Sequence, residues 1–223
     1  PLIMVDHFTM TEPTFGPHAH AGLSAVSVLF EDSLGAFRNR DSLGVDVELA
    51  PGDLYWLKVA RGAVHDEAPT PGSRIHALQV FVNLPAARKM DAPAARHVPA
   101  GKMPVIDGPG HRVRVMTGKT GGVTGAAPPA LPLTILDIGL QPGGSLTHRA
   151  DPGEATWLHL VRGEVELELD GIRHRLSRDT ALATHGGREI RLLSGDGGQA
   201  VLLGGPPLRE PFVQRGPFAM RDA

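Results

Sequence analysis

The chain has 223 residues, 41% hydrophobic and 21% charged, with a formal net charge of −2 and a pI near 6.7. This balance offers no global attraction to nucleic acid or to an anionic membrane surface, so neither direct nucleic-acid binding nor membrane association is expected. Cysteine is absent, which excludes disulfide scaffolds, zinc–thiolate and iron–sulfur clusters and thiol nucleophiles; any metal must be held by nitrogen and oxygen, and 11 histidines are available to do so.

No apolar run reaches the length of a membrane span, and no charged-then-apolar leader opens the chain, so a cytoplasmic location is expected. The first residue is Pro1 rather than Met, and a few preceding residues are expected. Gly and Pro, at 28 and 20 residues, favour many short strands joined by turns over long helices.

Taken in order, residues 1–17 carry no periodic signal long enough to assign. Residues 23–30, Leu-Ser-Ala-Val-Ser-Val-Leu-Phe, predict a strand, followed by a turn at 31–35 and a short extended piece at 37–40. Val45, Val47 and Leu49 alternate with Asp46 and Glu48, the period-2 mark of a half-buried strand. Ala50-Pro51-Gly52-Asp53 predicts a tight turn, residues 54–59 a further strand, and residues 63–67 another. Residues 75–84 give the clearest strand, with Ile75, Ala77, Gln79, Phe81 and Asn83 on one face and His76, Leu78, Val80, Val82 and Leu84 on the other.

Pro93, Pro99, Pro104 and Pro109 interrupt the next stretch, which reads as a linker, with a short helical turn near residues 86–90. In the second half strands are predicted at 113–117, 134–140, 156–161, 165–169, 172–176, 180–183, 189–193 and 200–203. Val165, Leu167 and Leu169 alternate with Glu164, Glu166 and Glu168, so that hairpin has one wet face. Many strands with Gly/Pro turns mean a sandwich or barrel. The two halves also align with each other, since His20 to Asp53 spans 33 positions and His148 to Asp179 spans 31, which suggests an internal duplication.

The chemistry concentrates in Phe15-Gly16-Pro17-His18-Ala19-His20-Ala21-Gly22 and Ala63-Val64-His65-Asp66-Glu67. Residues two apart on a strand share a face, so His18 and His20 can point one way, and so can His65 and Glu67. Were the two strands neighbours in a barrel, three imidazoles and a carboxylate would converge on one point. Alone, His-x-His is weak; the second doublet, beginning 45 positions after His20, changes the odds. Such a nitrogen/oxygen set suits Fe, Mn, Ni, Cu or Zn. Four ligands on an octahedral ion leave two positions open, whereas a tetrahedral zinc would be filled by them and inert.

These residues, together with Phe30-Glu31-Asp32-Ser33, Phe37-Arg38-Asn39-Arg40-Asp41-Ser42-Leu43-Gly44, Pro51-Gly52-Asp53 and Gln79-Val80-Phe81-Val82-Asn83-Leu84-Pro85, resemble the pirin family of bicupins. The likeness continues through Gly121-Gly122-Val123 to Glu210-Pro211-Phe212 and Gly216-Pro217-Phe218, so it covers essentially the whole chain. The resemblance implies an all-β fold of two tandem antiparallel β-barrels of the cupin, or double-stranded β-helix, type. The expected domains are an N-terminal barrel with the metal site (1–90), a linker (91–110), and a metal-free C-terminal barrel (111–223) whose tail packs back on the first.

His18, His20, His65 and Glu67 fall on the family's four ligand positions. The resemblance further implies one divalent transition metal, iron as Fe(II)/Fe(III) foremost, with Mn, Ni, Cu or Zn also compatible. The sequence departs from other pirins at Ala21, where Arg is common, and at Ala77, where Gly is common.

Two functions follow from that likeness. One is a quercetin 2,3-dioxygenase-type enzyme acting on an aromatic small molecule and O₂, with Glu67 as general base as well as ligand. The other is a redox-responsive iron protein that regulates a protein partner, a transcription factor or a metabolic enzyme, by binding it. A structural metal without chemistry is the third reading, and a monomer is expected throughout. Beside these stand plainer expectations. Gln79 points towards the metal or is a buried amide, and His76 faces away. Arg38, Arg40 and Asp41 form a salt-bridged turn, and Arg173-His174-Arg175 with Arg178 is a solvated basic face. His148, His159, His174 and His185 are surface or structural residues.

Overall fold

The computed structural model describes residues 1–177, 180–186 and 188–221. Arg178 and Asp179, which entered the basic cluster and the internal alignment, lie outside the described residues. Two compact units are present: Pro1–Lys102 together with the segment from Leu208, and Met103–Pro207. No helix among the described residues is long and apolar enough to cross a membrane.

The first unit contains β1 (Leu2–Met10), β2 (His18–His20), β3 (Leu23–Leu29), β4 (Phe37–Asp41), β5 (Asp46–Leu49), β6 (Leu54–Lys58), β7 (Ala63–Pro69), β8 (Ile75–Asn83) and β9 (Ala94–Val98). They form a five-stranded sheet in the order β1-β8-β3-β6-β9 and a four-stranded sheet in the order β2-β7-β4-β5. All pairings within these sheets are antiparallel. One core joins the two sheets: Leu23, Ala25, Leu29, Tyr55, Leu57, Ile75 and Ala77 from the first pack with Phe37, Leu49 and Ala63 from the second.

The inner face follows from strand periodicity. In β3 the core residues Leu23, Ala25 and Leu29 bring Ser27 inward at the same period, and in β8 Ile75 and Ala77 do the same for Gln79 and Phe81. β3, central between β8 and β6, is buried on both faces along its whole length, which is why its sequence shows little alternation. On β4 the exposed Arg38 and Arg40 point outward. Arg38 forms a two-pronged pair with Asp46 at 2.8 and 2.7 Å, and Arg40 pairs with Asp66. Asp41 instead closes the following turn, accepting from the backbone N–H of Leu43 at 2.8 Å and from the Tyr55 hydroxyl at 2.6 Å.

Two expectations need correction. The first 17 residues contain β1, a nine-residue strand paired along β8 with a bulge near its start. Seven of its nine residues are partly covered, and only Asp6 and Thr9 are exposed, at a spacing that gives no strand alternation. Residues 91–110 are not an unpaired linker: β9 completes the edge of the five-stranded sheet on β6, and Val105–Gly108 pairs with His111–Thr117 in the second unit. The four prolines flank these strands instead of breaking them, with Pro93 and Pro99 bounding β9 and Pro104 and Pro109 bounding Val105–Gly108. Asp53 of the Pro-Gly-Asp turn ties β9 down, taking His97 Nε2 at 2.7 Å and the Ala100 N–H at 2.8 Å.

The second unit repeats the four-stranded sheet and the run β1-β8-β3-β6 of the larger one, with two further strands beyond the β1 counterpart and, among the described residues, no counterpart of β9. Its larger sheet runs Val105–Gly108, His111–Thr117, Thr134–Leu140, Gly198–Gly205, Ala155–Gly163, Ala181–His185. The smaller runs Ser145–Arg149, Glu189–Leu193, Val165–Leu169, Ile172–Leu176. By position in its sheet, Val165–Leu169 corresponds to β4 and Ile172–Leu176 to β5. On the outer face of that hairpin Arg173 pairs with Glu168 and Glu166, and Arg175 with Glu164, so the basic cluster is matched by an acidic row on the adjoining strand.

Candidate metal centre

β2 and β7 are hydrogen-bonded neighbours, with His18 directly across from His65 and His20 across from Ala63. Period-2 geometry then turns His18, His20, His65 and Glu67 to one face. Among the described residues His18, His20 and His65 form the one group of three or more potential ligands, their donor atoms all within 4.8 Å of one another. His65 Nε2 lies 3.1 Å from His20 Nε2 and 3.1 Å from His18 Nε2. His20 and His65 are buried, and His18 is half-buried on the side of the exposed Phe15.

The protonation pattern of these rings follows from their other nitrogens. His18 Nδ1 sits 2.9 Å from the Gly16 carbonyl and His20 Nδ1 3.3 Å from the Pro217 carbonyl. A carbonyl only accepts, so both Nδ1 atoms carry a proton, and Nε2 is the nitrogen each ring turns to the cluster. Burial, with the neighbouring imidazoles adding to it, pushes the His65 pKa down to about 3 and that of His20 down to about 4, the Pro217 hydrogen bond opposing the shift at His20. Both rings are therefore neutral near pH 7, the state a metal requires.

Without an ion, His65 Nε2–H can donate to a neighbouring Nε2 at 3.1 Å; when that proton moves to Nδ1, all three Nε2 lone pairs are available to one cation. A first-row ion with metal–nitrogen bonds of about 2.0–2.1 Å holds neighbouring nitrogens roughly 3 Å apart, so the donor set fits one such ion.

Glu67 stands beside the cluster without joining it. Its side chain is 11% exposed, and its Oε2 lies 3.7 Å from His65 Nδ1, a buried nitrogen with no hydrogen-bond partner. Its Oε1 accepts from the Ser27 hydroxyl at 2.5 Å. Burial pushes the Glu67 carboxyl up to about 7; the Ser27 hydrogen bond opposes that rise and the Asp66 charge adds to it. Ser27 Oγ is also 3.1 Å from Gln79 Oε1, directly across the β3–β8 pairing.

One hydroxyl has one proton to give. With Glu67 ionised, Ser27 donates to Oε1, and a turned Gln79 amide would donate from Nε2 to Ser27. With Glu67 protonated, the carboxyl donates to Ser27, which donates to Gln79 Oε1. The Gln79–Ser27–Glu67 row can thus accommodate the carboxyl in either state.

Gln79 is the inward residue that its strand face predicted. Ser27 was missed, although a small hydroxyl at the inward period of a buried strand was its available signal. His76 faces away as expected, held to Asp32 at 2.7 Å and to His7 at 2.7 Å.

On the paired strands of the second unit Leu146 stands across from Leu192 and His148 across from Ile190, and the three aliphatic residues belong to its core. His148 is buried and its Nδ1 meets Thr120 Oγ1 at 3.0 Å. Burial lowers its pKa below the ordinary value. The unfolded chain therefore binds a proton near pH 6.5 that the folded chain resists, and this part of the stability is lost as pH falls below that value. His148→Leu is expected to flatten that loss, by no more than about 1.4 kcal/mol per pH unit for a single proton. Urea unfolding at pH 5 and pH 7 measures it.

Two family models match the chain, Pirin over residues 2–82 and the pirin C-terminal cupin domain over residues 135–223. Human pirin is 29% identical over 223 residues, covering 99% of this chain and 76% of the relative. Mouse pirin is 30% identical with the same coverage. The crystal structure of a quercetin 2,3-dioxygenase from Acinetobacter baumannii superposes with a TM-score of 0.87 at 28% identity, covering 99% of this chain and 80% of that one. Similarity of sequence and of fold runs through both barrels, and the chain belongs to the pirin family.

Proposed function

We propose that this protein is a dioxygenase that opens flavonols such as quercetin with O₂, releasing carbon monoxide, at a single iron held by His18, His20, His65 and Glu67. The observation that carries the reading is the convergence of three imidazole Nε2 atoms with a buried carboxylate at their side. The likeness to the A. baumannii quercetin 2,3-dioxygenase supports the substrate class. When bound, a divalent ion would supply Lewis acidity and a common template for O₂ and the flavonol.

The chain's own part is proton handling and orientation. Glu67 takes the proton of the flavonol hydroxyl, which requires its carboxylate within hydrogen-bond reach of that oxygen. Ser27 holds Oε1 of Glu67, leaving Oε2 on the His65 side to turn towards substrate or ion. Once Glu67 is protonated, the row through Ser27 to Gln79 reverses its donors and keeps the buried carboxyl partnered. Half-buried His18 marks the side from which a ligand enters.

The deciding experiment is aerobic turnover of a panel of flavonols and catechols by protein loaded separately with Fe(II), Mn(II), Ni(II), Cu(II) and Zn(II). Flavonol loss with carbon monoxide release is expected with iron and not with zinc. No product with any of these metals overturns the reading in favour of a regulatory, partner-binding role.

A further inference from the structure

The far end of the chain returns to the metal centre through its backbone. Pro217 O faces His20 Nδ1 at 3.3 Å, and the strand Phe218–Met220 begins immediately afterwards. Phe218 forms a parallel bridge with Ala21, and the Ala219 N–H donates to the Ala21 carbonyl at 2.9 Å. The Ala219 side chain is fully buried in the core of the first unit. The segment therefore lies along the residues that directly follow His20.

Lys89 fastens it there. The residue is buried, and its Nζ donates to Gly22 O at 2.8 Å, Asn83 Oδ1 at 2.5 Å and Ala219 O at 2.6 Å. An ammonium has three donors, and each has an acceptor here. One acceptor belongs to the turn after His20, one to the end of β8 and one to the returning segment. Gly22 makes the close approach feasible: its φ is +76°, and a Cβ at that position would overlap the Ala219 carbonyl. Farther back, Glu210 accepts the Ala86 N–H at 2.7 Å and anchors the segment's entry.

We infer that the strap Pro217–Ala219 is a working part of the metal centre, setting the tautomer and orientation of His20, and that Lys89 is the residue positioning that strap. The inference rests on the metal reading above. A hydrogen bond from the distal nitrogen of a ligating histidine to a carbonyl fixes which nitrogen is free for the ion and raises its basicity. Here the carbonyl comes from the strap and its placement from Lys89.

The test compares Ni(II) binding by metal-stripped parent protein, Lys89→Met and a chain ending after Gly216, using calorimetry and visible absorption, with circular dichroism to check folding. Both variants are expected to bind about 10–100-fold more weakly, the range for losing an outer-shell partner of a ligand. In the imidazole ¹⁵N spectrum of the metal-free parent, His20 is expected as the Nδ1–H tautomer. This readout needs no variant and would not respond to a merely structural strap. Parent-like affinity in folded variants, or an Nε2–H tautomer of His20 in the parent, overturns the inference. A parent protein that binds no Ni(II) overturns the metal reading and this inference with it, whereas parent binding with unchanged variants overturns this inference alone.

Discussion

His65→Ala is expected to abolish stoichiometric metal binding while the barrel stays folded. His65 Nε2 is the middle of the cluster, 3.1 Å from each of the other two Nε2 atoms, whereas only contact through His65 links His18 to His20 by such a distance. Removing it leaves two imidazoles and a carboxylate, and the loss should exceed the about 10–100-fold cost typical of outer-shell changes. The metal-free variant should lie within about 1–2 kcal/mol of the parent, as for an ordinary substitution. Truncation opens a small cavity, but it also removes a buried Nδ1 that has no hydrogen-bond partner. Linkage supplies the readout: an ion present at 100 times its Kd stabilises the parent by about 2.7 kcal/mol and should add nothing to the variant. Metal analysis after dialysis, together with thermal unfolding with and without Fe(II), measures both effects. A variant that retains one ion per chain would show that the three-imidazole cluster is not the site.

Glu67→Gln is expected to keep much of the metal and lose flavonol turnover by about 10²–10⁴-fold, the range for removing a general base. The amide is nearly isosteric and its oxygen can still accept from Ser27, so the surrounding row survives. What disappears is the ability to take a proton. Three imidazoles continue to hold the ion and the amide oxygen keeps its place beside them, so much of the affinity should remain. Unchanged flavonol cleavage in this variant would refute the base role, while complete metal loss would assign Glu67 to ligation above all. Ser27→Ala serves as the companion: it removes the hydroxyl that orients Oε1 and should lower turnover less than the loss of the carboxylate itself.

Much of this site was legible from the residues alone. Period-2 geometry is local, so the placing of His18 with His20, and of His65 with Glu67, on shared faces follows from their spacing. The strands at 134–140, 165–169, 172–176 and 189–193 were likewise bounded by alternation and turn residues, and the structure has them over the same residues. β1 and β9 were not legible. Partly covered faces in β1, and prolines that flank β9, blur the signals on which strand reading relies.

The sequence by itself determined the chemistry available: no thiolates, two same-face ligand doublets, and a second half with no matching doublet. Tertiary structure decided how those pieces meet. The register that puts His18 across from His65, and the Ser27 contact to Glu67 at a separation of 40 positions, depend on which strands pair. The Pro217 carbonyl on His20 spans 197 positions, and Lys89 reaches Ala219 across 130. Periodicity governs which way a side chain points relative to its own neighbours. Which distant segment it then faces is set by packing two sheets around one core and satisfying their backbone groups, and neither constraint can be read within a short window of residues.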